Sequence, residues 1–173
     1  TPPARGLQRW GMATSDPADV LLKHNQWANQ RVLEACRGLG PEQLEQRFEM
    51  GLGTVRATWL HTIGAMRGWT DLLANREGRP RLTAGGQSVE ELERLAEEAA
   101  TDLSTHAKGG PMDEVLSREW GGKRYSFTRG AVIAHVTTHG MHHRAQLLNM
   151  LRHLGVTPLP PSSVMEWTMQ GDA

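Results

Sequence analysis

Four of the eight histidines, His135, His139, His142 and His143, fall within nine residues of the stretch Ala134 to Gly155. Residues four apart on an α-helix lie one turn up and nearly in line. His135, His139 and His143 therefore form one row, and His142 sits off it. Val132, Ile133, Val136, Leu147, Leu148, Leu151 and Leu154 flank that row with apolar side chains. Two imidazoles one turn apart can grip a single transition metal, because both rings reach the same point beside the helix. His139 and His143 are the expected pair, with a third ligand supplied from elsewhere in the chain. Burying neutral imidazoles without partners is costly, and a metal satisfies them.

Other chemistries lack their residues. Gly140, Met141 and His142 stand between His139 and His143, so the metalloprotease helix lacks its glutamate base. There is no Glu-x-x-His pair of the kind that builds di-iron carboxylate bundles. Neither a Gly-rich phosphate loop nor a Gly-x-Ser-x-Gly elbow occurs. Cys36 lies among Val32, Ala35 and Leu39, the setting of a small buried hydrophobe rather than of a nucleophile.

The histidine row needs a scaffold, and the pattern supplies helices. Asp16 as N-cap with Pro17 at the first helical position opens a helix that Gly38, Gly40 and Pro41 stop. It carries HNQWANQ, residues 24–30, with Trp27 packed in the bundle. Asn25 and Asn29 share one face, either in solvent or hydrogen bonded near the metal. A connection with one short helical turn follows through Gly53. A second helix runs from about Thr54 to Asn75 through Val55, Trp59, Ile63, Met66, Trp69, Leu72 and Leu73, with His61 in its middle. A lone histidine in that position is ordinarily structural or exposed.

The capping box Ser88-Val89-Glu90-Glu91 starts a third helix that ends near His106, its acidic run forming a solvated face. Gly121-Gly122 between two short runs signals a hairpin whose Leu116, Trp120, Tyr125 and Phe127 cover one end of a bundle. The last helix runs from near Thr128 to Gly155. The tail, with Pro158, Pro160 and Pro161, is expected to be extended and to pack back through Val164, Met165 and Trp167. Residues 1–15 are read as a disordered leader or an expression remnant. Residues 16–173 are expected to form one all-α domain, a four-helix bundle with long connections and a short β-hairpin before the last helix.

Composition narrows the function classes. The 19 basic and 19 acidic residues cancel, which argues against nucleic acid as the ligand. No apolar run approaches a membrane span, and no membrane partner is expected. One cysteine excludes a disulfide scaffold within the chain and points to a reducing cytoplasm.

Three blocks in order carry a resemblance over most of residues 17–170. HNQWANQ, Gly53-Thr54-Val55-Arg56-Ala57-Thr58-Trp59-Leu60-His61-Thr62-Ile63-Gly64-Ala65 and His135-Val136-Thr137-Thr138-His139-Gly140-Met141-His142-His143-Arg144-Ala145-Gln146 resemble the corresponding segments of the DinB/YfiT-like family of bacterial four-helix bundles. The resemblance implies that His61, His139 and His143 are the metal ligands, with His135 a neighbour of the site or a core residue. Met66 stands where the family often has an acidic residue, and Ala145 where it often has Gly. Three histidines leave coordination positions open, the layout of a catalytic site. Neutral nitrogen ligands suit zinc, nickel, iron, cobalt or copper alike; zinc or nickel is the first expectation, then iron or cobalt. What the resemblance implies is a metal-dependent enzyme that activates a low-molecular-weight thiol, or water, for transfer to a small electrophile. The rival readings are a metal-binding stress-response protein without turnover and a metal-dependent hydrolase. A homodimer and a small-molecule substrate are the implied partners, with Arg118, Arg124 or Arg144 as candidates to hold an anionic cosubstrate.

Overall fold

In a computed structural model, residues 16–170 are described. The expected leader, residues 1–15, lies outside them. Among the described residues the elements are α1 (Pro17–Cys36), α2 (Pro41–Leu44), α3 (Val55–Leu73), α4 (Val89–Ala107), β1 (Val115–Trp120), β2 (Lys123–Thr128), α5 (Arg129–His153) and α6 (Val164–Gln170). The architecture is the expected all-α bundle with a hairpin before its last long helix.

Each long helix starts where a side-chain oxygen takes up an orphan amide. The Asp16 carboxylate accepts from Ala18 N, and the Thr54 hydroxyl from Ala57 N. Ser88 accepts from Glu91 N in a full capping box, and Thr128 from Ala131 N. These caps set where each long helix begins.

Polar contacts give the directions. Lys108 after α4 pairs with Asp16 and Asp19 at the start of α1, and Arg37 after α1 pairs with Glu93 early in α4. Helices α1 and α4 are therefore antiparallel. Arg129, at the start of α5, donates to the carbonyls of His106 (2.8 Å) and Leu73 (3.4 Å), which close α4 and α3. Helices α3 and α4 thus end together and run parallel, with α5 leaving in the opposite sense. Around the bundle the order of contact is α1, α5, α3, α4. Arg129 is buried and also bonds the Glu114 carboxylate, so one cation meets the negative ends of two helices.

Parallel packing of consecutive helices explains the long connection. A 19-residue helix is about 28 Å long, and the fifteen residues 74–88 can reach up to ~50 Å, enough to return along it. Asp71, buried at the end of α3, anchors this loop. It accepts from Arg76 Nε at 2.7 Å and Arg79 N at 2.9 Å, and Asp102 on α4 takes the other side of both guanidiniums.

The core runs through all four long helices, with Leu33, Trp59, Ile63, Met66, Leu92, Leu103, Leu147, Met150 and Leu151 fully buried. The hairpin pairs Trp120 with Lys123 and Leu116 with Phe127 around Gly121 and Gly122, both at positive φ. Leu116, Trp120, Tyr125 and Phe127 share the face toward α3, and Leu116 is buried there.

The tail departs from the expected extended chain. Residues 164–170 are helical because Ser163 and Glu166 cap one another. Glu166 N donates to Ser163 Oγ at 3.1 Å, and Glu166 Oε2 accepts from Ser163 N at 2.9 Å. Trp167 and Val164 pack on Trp27 and Ala28 of α1 as expected, but Met165 is 63% exposed. The helix turns it outward.

Candidate metal centre

Helices α3 and α5 are antiparallel neighbours, so His61 rises past the middle of α5. His61 Nε2 lies 3.1 Å from His139 Nε2, and His143 Nε2 lies 3.2 Å from the same atom. All three ligand atoms lie within 4.8 Å of one another. Imidazole nitrogens bound about 2.0–2.1 Å from one tetrahedral ion are separated by roughly 3.3 Å. The spacing of these rings is that of three ligands on one ion.

Hydrogen bonding alone does not satisfy the cluster. The Gln146 amide oxygen lies 2.8 Å from His143 Nδ1 and accepts its proton, which leaves His143 Nε2 with a lone pair turned inward. Gln146 Nε2 in turn donates to His142 Nε2 at 3.0 Å. His139 Nε2 carries at most one proton and faces two other ring nitrogens. A cation that accepts three lone pairs resolves what one proton cannot.

The rings are also in the right protonation state. Burial, with the charges of His143, His61, His135 and His142 behind it, pushes His139 down to about 4. Burial lowers His61, and Arg81 adds to it; burial likewise lowers His143, against the opposing bond to Gln146. Neutral imidazole is the form that binds a metal. His143 is buried, His139 half-buried and His61 exposed, so the cluster is backed by the core and open on one side.

Behind it lies a polar layer. Arg144 is 2% exposed, and its Nη1 donates to Asn25 Oδ1 at 2.7 Å and Asn29 Oδ1 at 2.8 Å. Both asparagine amides point at Met66 Sδ. Asn25 and Asn29 are therefore buried, not in solvent, and they bond Arg144 rather than the histidines. Among the described residues no carboxylate joins them, and burial holds Arg144 down to about 10. Gly140 makes room for this layer, since a Cβ there would fall well under 3.0 Å from Asn25 Oδ1.

His135 is exposed and stands edge-on to Trp69, with ring centroids 4.9 Å apart. His142 is exposed and outside the cluster. Arg118 is occupied by the carbonyls of Arg76 (2.6 Å) and Gly68, and Arg124 lies across from Glu119 in the hairpin. Neither is brought to the histidines. Cys36 is fully buried and its thiol is pushed up to about 12 by burial, which removes it as a nucleophile. The groove of about 460 Å³ between α1 and α4, lined by Asn29, Gln30, Glu34, Arg37, Glu93 and Glu97 among others, shares Asn29 with the polar layer but includes none of the three histidines. Its charges pair with one another, as in Arg37 with Glu93.

Two neighbours escaped the sequence reading. Gln146 had a signal, since it stands three residues after one histidine and four after another. Arg81 had none, because its charge acts on His61 from an irregular loop.

The family model described as the DinB family matches residues 12–171. Protein DinB of Bacillus subtilis (strain 168) is 23% identical over 156 residues, covering 84% of this chain and 91% of that protein. The matched span holds the whole bundle and every histidine of the cluster, and on that match the chain belongs to the DinB family.

Proposed function

We propose that this chain is a metal-dependent enzyme in which His61, His139 and His143 hold one divalent transition metal, zinc or nickel ahead of iron or cobalt. The site activates a low-molecular-weight thiol, or water, for transfer to a small electrophile. The convergence of three Nε2 atoms, at 3.1 and 3.2 Å about His139, carries this reading. When bound, the ion supplies Lewis acidity that lowers the pKa of the thiol or water at its open position.

The chain's own groups favour the thiol. The charged groups acting on the three rings are the other histidines and Arg81, with no carboxylate among them. Neutral ligands and a nearby guanidinium leave the centre net positive, which favours an anionic thiol. A water reaction gains from a carboxylate base, and none acts on these rings. Gln146 holds the His143 ring in its ligating tautomer, and the core behind His143 keeps solvent from that side.

Metal analysis of the purified protein with His61→Ala and His143→Ala tests the ligand set. Wild type holds about one ion per chain and each variant loses most of it; metal content unchanged in both variants rejects the assignment. A screen of small thiols against electrophiles on the metal-loaded protein then separates thiol transfer from hydrolysis.

A further inference from the structure

The candidate centre continues into a band of rings. His139 and His135 have centroids 5.6 Å apart, and Trp69 follows His135 at 4.9 Å. Trp69 meets Trp120 at 5.6 Å and Phe127 at 5.5 Å, both edge-on, and Tyr125 lies 5.7 Å from Trp120. The band runs along the seam of α3 and α5 and onto the hairpin. Packing alone would bury such a cluster, yet Trp120 and Tyr125 each remain 41% exposed.

Helix α3 opens space beside it. Gly64 and Gly68 lie three and seven residues after His61, on its face of the helix. Glycine weakens a helix interior relative to alanine, and nothing in the packing asks for it here. A Cβ at either position would meet no atom within 4 Å. Their bare backbone leaves room between His61 and Trp69 for something outside the chain.

We propose that this band is a second subsite, which holds a planar aromatic or conjugated group of the electrophile whose reacting atom lies at the histidine centre. The proposal rests on the metal-centre reading. Continuity with that centre selects the occupant: Trp69 stands eight residues after His61, about 12 Å along α3, and a molecule of that length anchored at the histidines lies over the glycines and reaches the rings. Trp69 stands edge-on to Trp120 and Phe127 while Trp120 and Tyr125 are tilted, so the band presents both faces and edges, the arrangements aromatic partners favour.

Two probes with one chelating head test it. Hexanohydroxamic acid and 6-(2-naphthyl)hexanohydroxamic acid, whose chain is long enough to carry the ring from the histidines to the band, are titrated calorimetrically into the zinc-loaded protein. The naphthyl compound is expected to bind about tenfold tighter or more. Trp120→Ala and Tyr125→Ala, both at exposed positions, are expected to erase most of that preference and leave zinc content and hexanohydroxamate affinity unchanged. Gly68→Leu, which fills the trough, is expected to do the same. Equal affinities of the two probes in wild type, or a preference that survives all three substitutions, overturns the subsite while the metal centre stands. If zinc is not held, the metal reading fails by itself, and 2-naphthol titrated into the metal-free protein tests the band alone. Binding that Trp120→Ala abolishes supports it; no binding overturns it. A wild-type dimer that Trp120→Ala converts to monomer assigns the face to a second copy and also overturns the proposal.

Discussion

Replacing Gly140 by alanine isolates the polar layer behind the histidines. In an ordinary helix interior the change gains about 1 kcal/mol of stability. At Gly140 the added Cβ meets Asn25 Oδ1 well inside contact distance and Arg144 Nη1 at 3.0 Å. Asn25 is 2% exposed and has no room to swing away. Moving its oxygen by ~1 Å, enough to clear a methyl group, breaks the 2.7 Å bond from Arg144. A hydrogen bond to a charged group contributes about 1.5–3 kcal/mol, and overpacking costs about 1–3 kcal/mol more. Against the helix gain, the net loss is roughly 1.5–5 kcal/mol. Gly64→Ala is the internal control, since its Cβ touches nothing and should stabilise by about 0.5–1 kcal/mol. Urea denaturation of both variants beside wild type reads the difference. Gly140→Ala as stable as wild type, or shifted in the same direction as Gly64→Ala, refutes the reasoning about the close approach of α1 and α5.

Gln146→Leu removes the acceptor that orients His143 and should weaken zinc affinity about 10–100-fold with little change in unfolding; a chelator competition assay showing unchanged affinity would sink that role. For the metal-free protein, His139 titrates near 4 when folded against 6.5 unfolded. The unfolded chain therefore binds more protons in that window, and stability falls as pH drops from 6.5 toward 4. A melting temperature that is flat or rises on acidification between those values contradicts it. Asp71→Asn loosens the loop that carries Arg81. It should cost roughly 2–3 kcal/mol, discounted because both arginine partners are about a third exposed, and should speed backbone hydrogen exchange over residues 76–81. Exchange there at the wild-type rate refutes the anchoring.

Much of this molecule was legible residue by residue. The Asp16, Thr54, Ser88 and Thr128 starts lie in a single segment each, because an N-cap bonds an amide two or three residues away. The Gly121-Gly122 hairpin is local in the same way. The in-line placement of His139 and His143 follows from helix pitch alone. The Ser163-x-x-Glu166 cap was equally local, but three prolines just before it drew the reading toward an extended tail.

What needed the tertiary structure is everything that depends on which helices touch. His61 stands 78 positions from His139, and periodicity is silent about whether α3 crosses α5 there; only a likeness to other chains named it. Asn25 and Asn29 read equally well as surface residues until Arg144 arrived from α5 to bury them. The charge of Arg81 acts on His61 from a loop with no periodic pattern, and Trp69, Trp120 and His135 met across three elements. Short-range bonding rules write helices and their faces into adjacent residues. The meeting of distant faces is set by the packing of the whole core, which no single segment encodes.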